Sequence, residues 1–456
     1  MAIYPPPARP TSLQVVRWLG KQAEEAGVDI FPASPVSEVL YADASARSAV
    51  VGVATADAGV GKDGVRKASF ARGMEIRGRQ TLFAEGARGS CSEAVMARFD
   101  LRAGADPQVF GLGLKEVWRL PAGRVRPGFI QHTLGWPLPP DVYGGSFLYH
   151  MAPDLVLVGF VVGLDYANPY LSPYAEFQRW KHHPAVAPHL AGGECIGYGA
   201  RVINEGGFQA VPKLTFPGGA LVGCAAGFLN VPKIKGTHTA MKSGMVAAEA
   251  VHAALAGQQA AAAGAAPPPP LEVSRYQTDM EASWVWSELR AVRNYHPSFK
   301  AGLLPGMAYS GLSAFVLRGR EPWTFRNSRS DAAATQPAAA HAPIAYPKPD
   351  GVLSFDLLTN LARSGTSHEA DQPAHLRVRA GMEAVPAARA HALFAGPEGR
   401  FCPAKVYEYP DEATGKLVIN AQNCLHCKAC SIKATDNFIQ WTVPEAGGGG
   451  PAYELT

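Results

Sequence analysis

Three cysteines within seven residues, Cys424-Leu-His-Cys427-Lys-Ala-Cys430, constrain this chain more than any other feature. The C-x2-C-x2-C spacing lets one loop turn successive thiolates toward a single centre, and a remote cysteine can close the shell. Cys402, in Arg400-Phe-Cys-Pro403, is the obvious fourth ligand, because ferredoxin-type clusters also take one ligand from a distant Cys-Pro. Four suitable cysteines point to one [4Fe–4S] cluster. Two alternatives stay open on spacing alone. One is a mixed zinc site using His426, although zinc usually takes separated pairs of ligands. The other is a set of unconnected buried thiols. The remaining cysteines, Cys91, Cys195 and Cys224, stand beside small residues and read as small buried hydrophobes. An odd, sparse set of seven in 456 residues is not a disulfide framework.

Length predicts two to four domains, enough to bury a core without covalent staples. With 48 glycines, 38 prolines and only 18% charged residues, the chain reads as a loop-rich mixed fold, not a coiled coil or helical array. A net charge of +4 without a basic stripe sets nucleic acid aside. No run of 18 apolar residues predicts a simple membrane span. Met1–Pro10, with four prolines, forms neither a secretory core nor a clear transit helix.

Along the chain, Ser12–Ala26 has helical periodicity, with Ser12 as cap and Gly27 as stop. Val28–Phe31, Val36–Tyr41, Val50–Ala54, Thr81–Glu85 and residues 155–164 read as strands. Gly219–Gly223 reads as a strand, Cys224–Gly227 as a small-residue turn, and Ala240–Leu255 as a strong helix. That strand–loop–helix order suits either an ordinary βα unit or a cofactor site at a helix N-terminus. Ala256–Pro270 is a low-complexity spacer, and Ser283–Tyr295 reads as one helix. Residues 301–317 carry no charge, Pro305 and Gly306 interrupt them, and Arg318, Arg320, Arg326 and Arg329 follow with Trp323 among them. Such a segment reads as a helix lying in a membrane interface or as a buried core helix. Gly59-Val-Gly-Lys-Asp-Gly64 matches a dinucleotide fingerprint by letters only. Its turn chemistry predicts a hairpin loop. His182-His183 is expected to hydrogen-bond and not to bind metal.

Longer stretches carry a family likeness. They are Tyr143-Gly-Gly-Ser-Phe-Leu-Tyr-His150, Val162-Gly-Leu-Asp-Tyr166, Phe177-Gln-Arg-Trp-Lys-His-His-Pro184, Asn204-Glu-Gly-Gly-Phe208, the Val231–Gly244 segment, Tyr346-Pro-Lys-Pro-Asp-Gly351 and Asn420-Ala-Gln-Asn-Cys424. From about Ser12 to Tyr453 the chain resembles the electron-transfer flavoprotein–ubiquinone oxidoreductases. The resemblance implies an α/β and α+β chain. Residues 1–100 with 214–300 would form an incomplete glutathione-reductase-type FAD domain, and 101–213 an interleaved ubiquinone domain. A membrane-associated helix and its basic flank would occupy 301–330, and a ferredoxin-like [4Fe–4S] domain 331–456. It implies Cys402, Cys424, Cys427 and Cys430 as cluster ligands and Gly144 and Gly145 as the quinone-contacting pair. It implies Glu85, Gly86, Gly223, Gly227, Asn230, Gly236, Thr237, His238 and Thr239 as FAD contacts. Electrons would arrive from reduced electron-transfer flavoprotein and leave on ubiquinone, at the matrix side of the mitochondrial inner membrane, with monotopic attachment. The family's opening strand and G-x-G-x-x-G, which hold the FAD pyrophosphate, are not in this sequence, so weak FAD binding is expected. If so, the chain would act only as an iron–sulfur carrier or assembly partner. A zinc-stapled interaction module is the third reading. Ala429 replaces a hydroxyl found in some members, which is expected to lower the cluster potential.

Overall fold

The computed structural model describes residues 12–45, 47–258 and 270–453. The side chain of Ser12, the Met1–Pro10 stretch and most of the low-complexity spacer lie outside these.

A five-stranded antiparallel sheet forms the centre. Its strands are β1 (Phe110–Arg119), β2 (Ile130–Leu134), β3 (Gly144–Met151), β4 (Leu155–Gly163) and β5 (Glu194–Asn204), in the order β5-β1-β4-β3-β2. Strands β1 and β4 are buried on both faces, as expected of inner strands. The Pro173–Lys181 helix packs on this sheet. Ser172 caps it by accepting from the Ala175 N–H, and Pro173 sits in its first turn, where a missing N–H costs nothing. Its Lys181 ammonium lies 2.9 Å from both Glu116 oxygens, and both side chains are fully buried. Trp118, Gln178 and Asn360 complete the carboxylate's hydrogen bonds. Asn360 comes from the Leu357–Ala362 helix, so this network ties the C-terminal region to the sheet.

The apolar interior divides into two cores. The first runs unbroken from the sheet into the C-terminal loops and includes all four cysteines of the motif. The second joins Val50, Phe83, Val95, Phe216, Leu221, Ala247, Tyr276 and Leu289. Around it a three-stranded sheet places Gly219–Leu221 between Thr215–Phe216 and the parallel strand Thr81–Phe83.

Several expectations need correction. Val28–Phe31 is not a strand. It pairs with no strand among the described residues, and Val28, Ile30 and Phe31 are exposed, so β-propensity without a partner edge gave no ladder. The helix expected from Ala240 begins earlier, as α1 (Thr237–Ala256). The helix expected over Ser283–Tyr295 divides into Trp284–Ala291 and Tyr295–Ser298. Pro305 and Gly306 do not interrupt their segment. Pro305 falls in the first turn of α2 (Leu303–Leu312), where its N–H is not needed, and Gly306 lies against Phe299, leaving no room for a Cβ. A wider turn, Ser313–Leu317, extends this helix. The Gly59–Gly64 stretch is a hairpin connection between Ala58–Val60 and Arg66–Ala71, as its turn chemistry predicts. Cys91 and Cys195 are buried as expected, whereas Cys224 is only partly so.

Candidate functional site

Cys402, Cys424, Cys427 and Cys430 line one small pocket with Leu376, Tyr407 and Leu425. The loop that carries them bends through His426 (φ 53°) and Lys428 (φ 71°), and Lys405 after Cys402 adopts φ 51°. Left-handed geometry costs a non-glycine residue about 1–2 kcal/mol, so three such residues mark a backbone held for a purpose. That purpose is visible at the sulfurs. The His426 N–H donates to Cys424 Sγ at 3.3 Å. The N–H groups of Ala404 and Val406 face Cys402, that of Ala429 faces Cys427, and that of Ser431 faces Cys430. The Tyr407 hydroxyl lies against Cys430 and has no oxygen or nitrogen partner.

The electrostatics test what such a pocket can hold. Burial raises the Cys427 thiol to about 12, with the charge of Cys430 adding to the rise. Cys402, Cys424 and Cys430 are raised by burial too. Four thiolates cannot coexist here without a positive centre among them, and N–H dipoles already point at the sulfurs. The donor set therefore fits a thiolate-bound metal cluster. It does not fit the mixed zinc site. The His426 ring turns away from the pocket toward His368, with their Nε2 atoms 2.8 Å apart, and His375 packs beside both.

The cluster loop rests on β5. Val202 N–H donates to the Cys427 carbonyl, Arg201 to that of His426, and the Tyr198 hydroxyl to that of Pro403. It also touches the second core's side, where Arg88 donates to the Ser431 carbonyl and Lys428 to Ser90 Oγ.

Gly144 and Gly145 open β3. A side chain at Gly144 would collide with the Val161 carbonyl and Leu138, and one at Gly145 with the Thr133 carbonyl. The sheet itself therefore demands glycine here, a reason that the sequence did not reveal. Helix α2 seats beside this strand. Leu303 N–H donates to the Pro140 carbonyl, and Leu303 touches Gly135 in the turn that leads into β3.

The expected FAD contacts fall into two groups. Glu85 and Gly86 follow the Thr81–Phe83 strand. Glu85 accepts from the N–H groups of Cys91 and Ser92 and from the Ser92 hydroxyl, at the N-terminus of the Ser90–Arg98 helix, while Gly86 adopts φ +80°. Gly223, Gly227, Asn230, Gly236, Thr237, His238 and Thr239 form the second group. Gly223 and Gly227 take positive φ in a tight turn, and Gly223 N–H donates to Ser243 Oγ of α1. No side chain caps α1, so its first-turn N–H groups remain for another acceptor. Thr239 Oγ1 turns back to the Gly236 and Phe228 carbonyls. Asn230 and His238 reach neither one another nor the turn. Both bind Glu288, at 2.8 and 2.9 Å, and Lys233 joins them at 3.0 Å. Sequence reasoning missed Glu288, whose carboxyl these partners hold at about 2 against the cost of its burial.

His182 and His183 hydrogen-bond as expected, to Ser354 and to the Ala185 N–H.

Two family models match this geometry. "ETF-QO, ubiquinone-binding" spans 110–203, the central sheet, and "Electron transfer flavoprotein-ubiquinone oxidoreductase, 4Fe-4S" spans 351–454, the cysteine loops. The mitochondrial electron transfer flavoprotein-ubiquinone oxidoreductase of Arabidopsis thaliana is 54% identical over 97% of this chain and 68% of its own length. The Homo sapiens protein is 51% identical over 96% of this chain and 71% of its own length. The chain belongs to the electron transfer flavoprotein-ubiquinone oxidoreductase family. Among solved structures, the flavin-dependent brominase Bmp2 overlaps 67% of each chain at 17% identity and a TM-score of 0.42, too loosely to carry an argument. Within this family the four-cysteine pocket is the 4Fe–4S region, which separates it from the zinc module.

Proposed function

We propose that this chain accepts electrons from reduced electron transfer flavoprotein and delivers them to ubiquinone. The observation that carries the reading is the single core shared by a four-thiol pocket and the sheet matched as ubiquinone-binding. In this reading 1–100 with 214–300 forms the flavin portion, 101–213 the quinone portion, 301–330 the membrane-facing segment and 331–456 the iron–sulfur portion.

Cys402, Cys424, Cys427 and Cys430 would hold a [4Fe–4S] cluster, and the Gly223–Gly227 turn with the uncapped start of α1 would hold FAD. The cluster supplies one-electron transfer, and the flavin supplies the exchange between one- and two-electron chemistry. Backbone N–H groups around the cysteines stabilise added negative charge at the sulfurs, and the Tyr407 hydroxyl contributes another donor. With a flavin bound, the α1 N-terminus would present its positive dipole end to negative charge on the ring. Glu288 holds Asn230, Lys233 and His238, which fixes the approach to α1. Gly144 and Gly145 would bring bare backbone to the quinone head group.

No helix among the described residues is long and apolar enough to cross a membrane. A shallower attachment fits α2 and its extension. Phe315 is 82% exposed, Leu304 76% and Val316 67%, while Arg318, Arg320, Arg326 and Arg329 are exposed nearby. Apolar side chains beside cations suit an interfacial helix on anionic lipid. Adjacent to the turn that enters β3, it would admit a lipid-soluble quinone from the bilayer. The relatives' names are mitochondrial, and with this surface they support attachment to a mitochondrial membrane, for which the matrix side of the inner membrane is the place proposed.

The test reconstitutes the holoprotein on anionic liposomes containing ubiquinone and adds reduced electron transfer flavoprotein. Quinol formation at a rate that scales with protein supports the reading. Cluster and flavin that become reduced while quinone stays oxidised would leave the carrier reading instead. Phe315→Glu should weaken flotation with these liposomes, and unchanged flotation would rule out α2 as the contact.

A further inference from the structure

Quinone reduction takes up two electrons and two protons, and the residues above handle only electrons. The structure holds a buried titratable pair beside β3 that no role yet uses. Glu205 follows β5, and its Oε2 is buried without a partner. Its carboxylate occupies space left by two glycines paired across neighbouring strands, Gly111 of β1 and Gly163 of β4. A Cβ on Gly111 would lie 2.5 Å from Glu205 Oε1, and one on Gly163 would lie 3.5 Å from Oε2. Gly163 N–H in turn donates to the Tyr143 carbonyl at 2.8 Å, one residue before Gly144. His296 closes the group from the short helix preceding α2. Its ring stands edge-on to Tyr143 with centroids 4.6 Å apart, its Nε2 is 3.7 Å from Glu205 Oε2, and neither ring nitrogen has a partner. Asn204 Oδ1 and Asn327 Oδ1 are likewise buried and unpartnered.

Polar atoms left bare in an apolar core cost about 1–3 kcal/mol each. Glu205 Oε2 and the His296 ring, brought within 3.7 Å of each other without hydrogen-bond partners, point to a role other than stability. Where space allows, a water bridges polar groups too far apart to bond directly, such as Glu205 Oε2 and His296 Nε2 at 3.7 Å.

We propose that Glu205, assisted by His296, passes protons from solvent to the reduced quinone at the start of β3. This rests on the quinone reading of Gly144 and Gly145. The outer end of the route is Asp165, which is partly exposed. Its Oδ1 lies 3.1 Å from the Cβ position of Gly163, and Lys300 faces it. Each turnover adds two electrons from the donor and two protons to one quinone, giving quinol. Glu205 loses a proton toward the ring and regains one through Asp165. The groups facing Glu205 suit this. Burial pushes the Glu205 carboxyl well above its usual range, with Asp165 and Asp331 adding to the rise, and burial raises the Asp331 carboxyl as well, to about 8. Lys433, which donates to the Asp331 and Tyr166 carbonyls, and Lys300 lie on that side, and burial lowers both amines below the usual lysine range. Tyr143 stays protonated, raised by burial first and then by Glu205 and Asp165.

The experiment compares wild-type holoprotein with Glu205→Gln and Glu205→Asp. The infrared difference spectrum between wild type and Glu205→Gln at neutral pH should contain the carbonyl band of one protonated buried carboxyl, and its absence would count against a protonated Glu205. Glu205→Gln should leave quinone KM within about twofold, reduce kcat by about tenfold or more, and regain part of the rate with added formate. Reduction of the protein by electron transfer flavoprotein should be unchanged. Glu205→Asp should fall between the two and serves if Glu205→Gln folds poorly. An unchanged kcat and pH profile in both variants would overturn the proton route. A photoreactive ubiquinone analogue separates this from failure of the quinone reading. Labelling of the peptide around Gly144 in wild type and variants keeps the site, whereas labelling elsewhere removes the premise itself.

Discussion

The two cores of this molecule bind in different ways. The first, which unites the central sheet with the cysteine loops, sets four named side chains around one pocket and leaves no gap between sheet and C-terminal region. The second surrounds a three-stranded sheet and presents mainly backbone: a tight turn at Gly223 and Gly227 and the uncapped start of α1. A site made of side-chain identity at fixed spacing is strongly specified by few residues. A site made of backbone donors depends on how distant segments hold the chain. The teaching is that damage to the first should be chemical and local to its ligands or to the buried Lys181–Glu116 pair. Damage to the second should arrive indirectly, through residues such as Glu288 that hold neighbouring side chains in place.

The largest expected effect lies in the first core. Lys181→Ala would leave the Glu116 carboxylate buried without its cation, at a cost of about 3–5 kcal/mol. Chemical denaturation should show the sheet and the C-terminal region destabilised together, because Asn360 and Gln178 share the same carboxylate. If residues 351–453 unfolded independently of the sheet, the single-core description would fail.

An intermediate effect belongs to the second core. Glu288→Gln should weaken flavin retention while the cluster signal persists. The wild-type carboxyl is held below its unfolded value, so the stability it adds is complete above about pH 4.5 and is lost as pH falls toward about 2. Acid titration of the thermal midpoint should therefore differ between wild type and Glu288→Gln only by a contribution that fades across that window. Equal flavin retention in both proteins would mean that the Asn230–His238 contacts do not shape the site.

The smallest effect is a tuning one. Tyr407→Phe removes the hydroxyl beside Cys430 and should lower the cluster potential without loss of iron. A redox titration followed by electron paramagnetic resonance measures this, and an unchanged potential would deny the hydroxyl a role.

The same contrast explains what the sequence disclosed. Cys402, Cys424, Cys427 and Cys430 were legible because coordination chemistry restricts both residue type and spacing. The strands of the central sheet were legible in part, from the apolar run at 155–164. Glu288, His368, His375 and Glu205 were not, because each acquires its meaning from segments that meet only after folding. Gly144 and Gly145 were marked as a quinone-contacting pair, and their second constraint was hidden, since the approach of the Val161 and Thr133 carbonyls already excludes a side chain. Val28–Phe31 misled because strand propensity says nothing about whether a partner edge lies within reach.

The central claim is that four thiolates bind one iron–sulfur cube within the sheet-linked core. Iron and acid-labile sulfide, determined on protein prepared without oxygen, test it most directly. The account predicts about four of each per chain, falling sharply in Cys427→Ala. Zinc in place of iron, with no sulfide and no change in that variant, would contradict it.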